Sequence, residues 1–293
     1  MSTRLPPWLK QKAPDSSVMA EMEAITDGLS LHTVCEEARC PNRGTCFSQG
    51  TATFLIMGNS CTRNCRFCAI KKGKPLPIDP DEPRHVALIV SKLRLKHVVI
   101  TSVTRDDLPD GGAGYFAKTI RAIRESNPET TIEVLIPDFM GSLEALKIVV
   151  DSSPEVINHN VETVPRLYPE VRPKADFHRS LNLVKKVKSL DSKIVTKSGI
   201  MLGLGEQDEE TIKVMEELRK IYCDILTLGQ YLRPSPQHHP VVRYVTENAF
   251  EEYKCIADEL GFKSVASGCF VRSSFNALSM YQEVIKLNRA TGL

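Results

Sequence analysis

The chain has 293 residues, 42% hydrophobic and 25% charged, a composition that excludes disordered and fibrous classes and suffices for one sizeable core. Lys and Arg number 38 against 36 Asp and Glu, and a net charge of +2 is too small to draw a phosphate backbone, so no nucleic-acid partner is expected. Met1 to Trp8 carry no apolar signal core and no stretch approaches the roughly 18 uninterrupted apolar residues of a membrane helix, so a cytoplasmic chain without membrane attachment is expected.

In chain order, residues 1–50 form an extension that holds Cys35, Cys40 and Cys46. Six β-branched, apolar runs follow: Thr51 to Met57, His97 to Thr101, Thr131 to Ile136, Val156 to His159, Ile200 to Leu204 and Ile225 to Leu228. Such runs read as buried parallel strands. Helical spacing fills the gaps, first with Val86, Ile89, Val90 and Leu93, then with Phe116, Ile120 and Ile123, and with Leu143, Leu146 and Val150. Leu181, Val184 and Val187, then Ile212, Met215 and Leu218, continue it, and Phe250, Tyr253, Ala257 and Leu260 end it between a Thr246 cap and a Gly261 stop. A β-α order repeated about six times, with no glycine-rich nucleotide fingerprint after the first strand, predicts a partial (β/α)6 TIM-like barrel. The expected division is an extension over 1–50, the barrel over 51–262 and a second extension over 263–293, both extensions lying over the barrel mouth.

Nine cysteines is an odd count, and in a reducing compartment clustered thiols read as metal ligands before disulfides. Cys61-Thr62-Arg63-Asn64-Cys65-Arg66-Phe67-Cys68 puts three thiols in one loop after the first predicted strand, on the face where barrels carry their chemistry. A structural zinc wants four protein ligands, whereas a 4Fe-4S cluster on three thiolates leaves one iron open to an outside ligand. The amino and carboxylate groups of S-adenosylmethionine can fill that position and set its sulfonium up for homolysis. This spacing, with Phe67 before the last cysteine, resembles the signature of the radical S-adenosylmethionine superfamily; a zinc loop completed from a distance is the competing reading. Cys35, Cys40 and Cys46, spaced C-x4-C-x5-C, are less diagnostic, because three thiols alone could bind zinc or sit inert. Arg272-Ser273-Ser274-Phe275 is weaker still, since serines commonly cap helices.

Taken together, these pieces resemble the lipoyl synthase family. The likeness runs from about Trp8 to Ala277 through Val34-Cys35-Glu36-Glu37-Ala38, Cys40-Pro41-Asn42, Gly50-Thr51-Ala52-Thr53-Phe54 and the Cys61 loop. It continues through Arg105-Asp106-Asp107-Leu108, Asp110-Gly111-Gly112-Ala113, Asn158-His159-Asn160, Lys197-Ser198-Gly199 and Gly229-Gln230-Tyr231. The resemblance implies two 4Fe-4S clusters, with S-adenosylmethionine at the one held by Cys61, Cys65 and Cys68. The other, on Cys35, Cys40 and Cys46 with Ser274 as fourth ligand and Ser273 as fallback, would be the sulfur source. The substrate implied is an octanoyl group on a lysine of a lipoyl-carrier domain or glycine-cleavage H protein, sulfurated at carbons 6 and 8. Ferredoxin or flavodoxin would supply electrons, and an iron-sulfur carrier would rebuild the spent cluster. Two departures stand out: Phe275 where the family usually has tyrosine, and Cys269, a competing ligand, where it commonly has proline.

Ser102, Asn160, Glu162 and Lys197 fall near predicted strand ends and are the expected S-adenosylmethionine contacts, against the alternative of capping or closing the barrel. Asp106, Asp107 and Asp110 read as turn chemistry around Gly111-Gly112. Arg233 and Arg272 read as members of ion pairs, His238-His239 as a solvated loop between prolines, and Cys223, Cys255 and Cys269 as small buried residues. A different two-cluster sulfur-inserting enzyme, related to biotin synthase, and a zinc-stabilised binding module are the competing functions.

Overall fold

The computed structural model describes residues 5–10, 31–37, 42 and 51–291. Its core is an eight-stranded sheet in the order β1-β2-β5-β6-β7-β8-β9-β10, open between its edge strands. The short β1 (His32–Thr33) lies antiparallel on β2 (Thr51–Ile56). All later neighbours are parallel: β5 (His97–Ser102), β6 (Thr131–Leu135), β7 (Val156–Asn158), β8 (Val195–Leu202), β9 (Ile225–Gln230) and β10 (Ser264–Gly268). The crossovers are the helices that the spacing predicts, α2 (Glu82–Lys92), α3 (Ala113–Ser126), α4 (Leu143–Val150), α6 (Phe177–Leu190), α7 (Asp208–Lys220) and α8 (Glu247–Glu259), with short α1 (Val34–Glu37) and α5 (Tyr168–Val171) before β2 and before α6. Their buried residues recur at helical spacing, as with Phe116, Ile120 and Ile123 on α3. The α8 start is capped by the Thr246 side chain, which accepts from Ala249 N, and Gly261 follows its end at a φ of +88°. The partial barrel expected from the sequence is therefore the fold.

Two strands depart from the sequence reading. β8 begins at Val195 rather than near Ile200, because Lys197, a residue that argues against a buried strand, is fully buried and neutralised by Glu133 on β6 at 3.0 Å. β10 extends the parallel sheet beyond residue 262; its Ser-Val-Ala-Ser-Gly sequence lacks the run of branched side chains by which the other strands announce themselves.

The C-terminal extension divides. Residues 271–274 cross the mouth, where Val271 O approaches β9 so closely that only glycine fits at Gly229. The helix α9 (Ala277–Thr291) instead packs at the opposite end, with Met280 and Val284 against Val156, Val195 and Ile225, the first residues of β7, β8 and β9. Ser264 Oγ to Glu283 Oε2 at 2.5 Å and Lys263 Nζ to Asn288 Oδ1 at 2.7 Å fasten it there. No helix among the described residues is long and apolar enough to cross a membrane.

Candidate active site

A cavity of about 550 Å³ opens at the C-terminal ends of the strands. Cys61, Cys65 and Cys68 line it together with Ser102, Asn160, Glu162, Ser273 and Ser274, so residues spread over more than two hundred positions of sequence share one space. The cysteine loop is held by its own backbone and by the Arg-Asp-Asp segment. Two-residue strands β3 (Ser60–Cys61) and β4 (Lys71–Lys72) pair in parallel, closing its base. Thr62 N and Oγ1 both donate to Thr104 O, at 3.1 and 2.9 Å, and Thr104 N points at Cys61 Sγ from 3.3 Å. Arg63 donates through Nε and Nη2 to Asp106 at 2.8 and 2.9 Å, and again to the buried Asp138. Burial opposes the charge on Asp138, but Arg63 outweighs it and holds that carboxyl down at about 2. The expectation of turn chemistry holds for Asp110, which accepts from Gly112 N and Gly114 N, and Asp107 pairs with Arg105; Asp106 does more, clamping the loop.

The opposite wall is polar. Glu162 lines the cavity and sits at a φ of +66°, a conformation costly for a non-glycine residue. Burial pushes its pKa up, while Arg172 and the amide of Asn160, 3.2 Å away, draw it down. Arg172, which sequence reasoning did not single out, is buried and spends Nη1 on Asn160 O, Val161 O and Tyr168 OH. Its Nε has no partner among the described residues, and neither do Ser102 Oγ and Asn160 Oδ1. Buried polar atoms are almost always satisfied, so these groups lining one cavity mark where a polar ligand belongs. Only the position of Arg172 after a short helix, in Val171-Arg172-Pro173, could have flagged it.

Burial pushes Cys68 up to about 12 and also raises Cys65, with the charge of Arg172 drawing Cys65 back down. Metal ligation needs thiolates, so a cationic group bound here would have to displace these thiol protons. No three Cys, His, Asp or Glu side chains among the described residues gather around a single-ion point, and a cubane cluster spreads its ligand sulfurs wider than one ion does.

Several predicted residues lie elsewhere. Lys197 does not line the cavity; it is fully buried, with its ammonium 3.0 Å from Glu133, which also accepts from Asn158 at 3.2 Å. Cys40 and Cys46 lie outside the described residues, as does the side chain of Cys35, whose backbone belongs to α1 beside the cavity-lining Val34. Asn42, between Cys40 and Cys46 in sequence, donates to Phe270 O at 2.5 Å, four residues before Ser274. Cys269 and Cys223 are buried, as expected, and Cys269 does not line the cavity; Cys255 is exposed, on the face of α8 away from Tyr253 and Ala257. Among the described residues Arg233 forms no ion pair; it donates to His238 O and Pro236 O, and Arg272 donates to Val271 O. The histidine pair is not a solvated loop: His239 is buried with Nε2 2.8 Å from Leu204 O, and His238 Nε2 meets Cys68 O.

Residues 55–218 match the family model of the radical SAM superfamily, and residues 1–40 match that of the N-terminal domain of lipoyl synthase. The chain is 60% identical to a lipoyl synthase of Caldanaerobacter subterraneus subsp. tengcongensis over 277 residues, 94% of this chain and 97% of the relative. It belongs to the lipoyl synthase family. A lipoyl synthase of Laribacter hongkongensis, 53% identical, is covered over 90% of its length by 97% of this chain. Among solved structures, methylornithine synthase shares the fold at a TM-score of 0.53 and 13% identity over 82% of each chain. Streptococcus suis SuiB bound to S-adenosylmethionine does so at 0.60 and 12%, over 89% of this chain and 65% of that one. The likeness to lipoyl synthases covers both the cysteine loop and the Ser273-Ser274 segment, whereas that to the solved structures is one of fold alone.

Proposed function

We infer that this chain inserts two sulfur atoms, at carbons 6 and 8, into an octanoyl group carried on a lysine of a lipoyl-carrier protein, using S-adenosylmethionine and two 4Fe-4S clusters. The observation that carries this reading is the meeting of the Cys61 loop and Ser273-Ser274 in one cavity of a chain 60% identical to a lipoyl synthase. Cys61, Cys65 and Cys68 would hold the cluster with an open iron. Cys35, Cys40, Cys46 and Ser274 would hold the second, from which sulfur is drawn; the bond from Asn42 to Phe270 supports their proximity. A serine oxygen is a poorer iron ligand than a thiolate, which suits a corner that must open.

With both cofactors bound, reductive cleavage supplies a 5′-deoxyadenosyl radical able to take hydrogen from unactivated carbon. The chain's residues bind and shield. Glu162, Asn160 and Ser102 offer hydrogen-bonding atoms to the polar parts of S-adenosylmethionine, and Arg172 offers a cation to its carboxylate. Leu55, Val99, Leu135 and Met201 line the same cavity, a surface suited to an alkyl chain and to the exclusion of water. No side-chain base could replace the radical, because protein environments move a pKa by only about 3 to 5 units. The carrier is an octanoylated lipoyl domain or glycine-cleavage H protein, the reductant ferredoxin or flavodoxin, the source of new clusters an iron-sulfur carrier, and the compartment the cytoplasm.

The test is anaerobic purification with iron and sulfide analysis, followed by two variants. Cys65→Ala should abolish 5′-deoxyadenosine formation, and Cys40→Ala should keep part of it while losing sulfur insertion. Equal phenotypes, or zinc in place of iron, would overturn the assignment.

A further inference from the structure

After β9 the chain runs without regular structure from Tyr231 to α8, and this strap crosses to the cysteine loop. Gln230, buried at its start, ties its far end by donating to Arg243 O at 3.1 Å and accepting from Val245 N at 2.8 Å. Tyr231 OH donates to His239 O at 2.7 Å, tying its middle. Two bonds then join strap and loop. His239 N donates to Arg66 O at 2.8 Å, and His238 Nε2 stands 3.0 Å from Cys68 O. A carbonyl only accepts, so Nε2 carries the proton. The ring is held from behind by Ser235 Oγ, 2.8 Å from Nδ1, and Arg233 Nε donates to His238 O at 2.9 Å. Tyr231 to Pro234 also line the cavity, so one segment forms a wall of the site and grips the carbonyl of its last cysteine.

We propose that His238 is a positioning residue which, through its Nε2–H bond to the Cys68 carbonyl, fixes the last turn of the cysteine loop and so governs how firmly that loop keeps its metal group. The inference rests on the assignment of Cys68 as a cluster ligand. The neighbouring bond from His239 to Arg66 is backbone to backbone and survives substitution of His238, so the side-chain contribution is separable. Outer partners that orient metal ligands typically carry about 10–100-fold in metal affinity or activity.

The experiment compares His238→Ala, His238→Gln and His238→Asn in the anaerobic holoenzyme. Glutamine carries an N–H near the position of Nε2; asparagine is too short to reach the carbonyl. The readout is the change in the reduced cluster's electron paramagnetic resonance line shape on adding S-adenosylmethionine, which reports the open-iron cluster alone, and the half-life of that change under an iron chelator. His238→Ala and His238→Asn should shorten the half-life by about 10-fold, and His238→Gln should restore it to within about 3-fold of wild type. Circular dichroism and thermal melting identify a variant that fails to fold; the comparison of His238→Gln with His238→Asn then carries the test. Equal half-lives in all four proteins, or loss in His238→Gln as deep as in His238→Asn, overturn the proposal. Cys68→Ala separates the failures: if it keeps the S-adenosylmethionine-dependent change, the ligand assignment is wrong, whatever His238 does.

Discussion

Arg63 Nη2 lies 2.5 Å from Asp138 Oδ1, joining the residue between the first two cysteines of the loop to the turn that follows β6. Both side chains are buried, and Arg179 Nη1 approaches the other Asp138 oxygen at 3.1 Å. Removing one member of such a set leaves an uncompensated charge. Arg63→Ala should therefore lower unfolding free energy by about 3–5 kcal/mol, and Arg63→Lys, which cannot reproduce the forked contacts to Asp106 and Asp138, should recover only part. Urea titration measures both.

Lys197 should matter for stability and not for cofactor binding. Lys197→Met strands the Glu133 carboxylate in the sheet and should cost about 3–5 kcal/mol, most of it recovered when Glu133→Leu is added. The KM for S-adenosylmethionine should stay within about 2-fold of wild type, since the side chain is outside the cavity; a rise of about 10-fold, or roughly 1.4 kcal/mol, would return Lys197 to the site.

Glu162 should matter in the opposite way. Glu162 lines the cavity and its carboxyl accepts from the Asn160 amide at 3.2 Å, so Glu162→Gln replaces that acceptor with an amide of the same shape. Charge-assisted bonds contribute about 1.5–3 kcal/mol, which predicts S-adenosylmethionine binding weaker by about 10- to 150-fold in equilibrium dialysis, with little change in melting temperature.

Glu82 gives a pH dependence. Burial, opposed by the Met57 N–H bond at 2.8 Å, pushes its carboxyl up to about 7 from an ordinary 4.5. The folded state thus holds this proton more tightly than the unfolded state. Its stabilising contribution is complete below about 4.5 and lost as pH rises through about 7. Urea midpoints should fall between pH 5 and pH 8, and Glu82→Gln should flatten that slope.

Much of this was legible in the sequence because the relevant signals are local. The Cys61 loop declares itself by spacing, and α8 by its apolar repeat, Thr246 and Gly261. What escaped depends on contacts made across the sheet. The buried state of Lys197 is intelligible only beside Glu133, β10 is made of small residues that pack because the neighbouring strand accepts them, and Arg172 gains meaning from the loop it braces. His238-His239 looked solvated because prolines flank it; the carbonyls of Cys68 and Leu204, roughly 170 and 35 positions away, decide otherwise.

The central claim is tested most directly by anaerobic incubation with S-adenosylmethionine, a reductant and an octanoyl-lysine peptide, followed by mass spectrometry. The account predicts a peptide carrying two added sulfurs at carbons 6 and 8, with two 5′-deoxyadenosines formed for each product. Formation of 5′-deoxyadenosine with no sulfur on the octanoyl chain would contradict it.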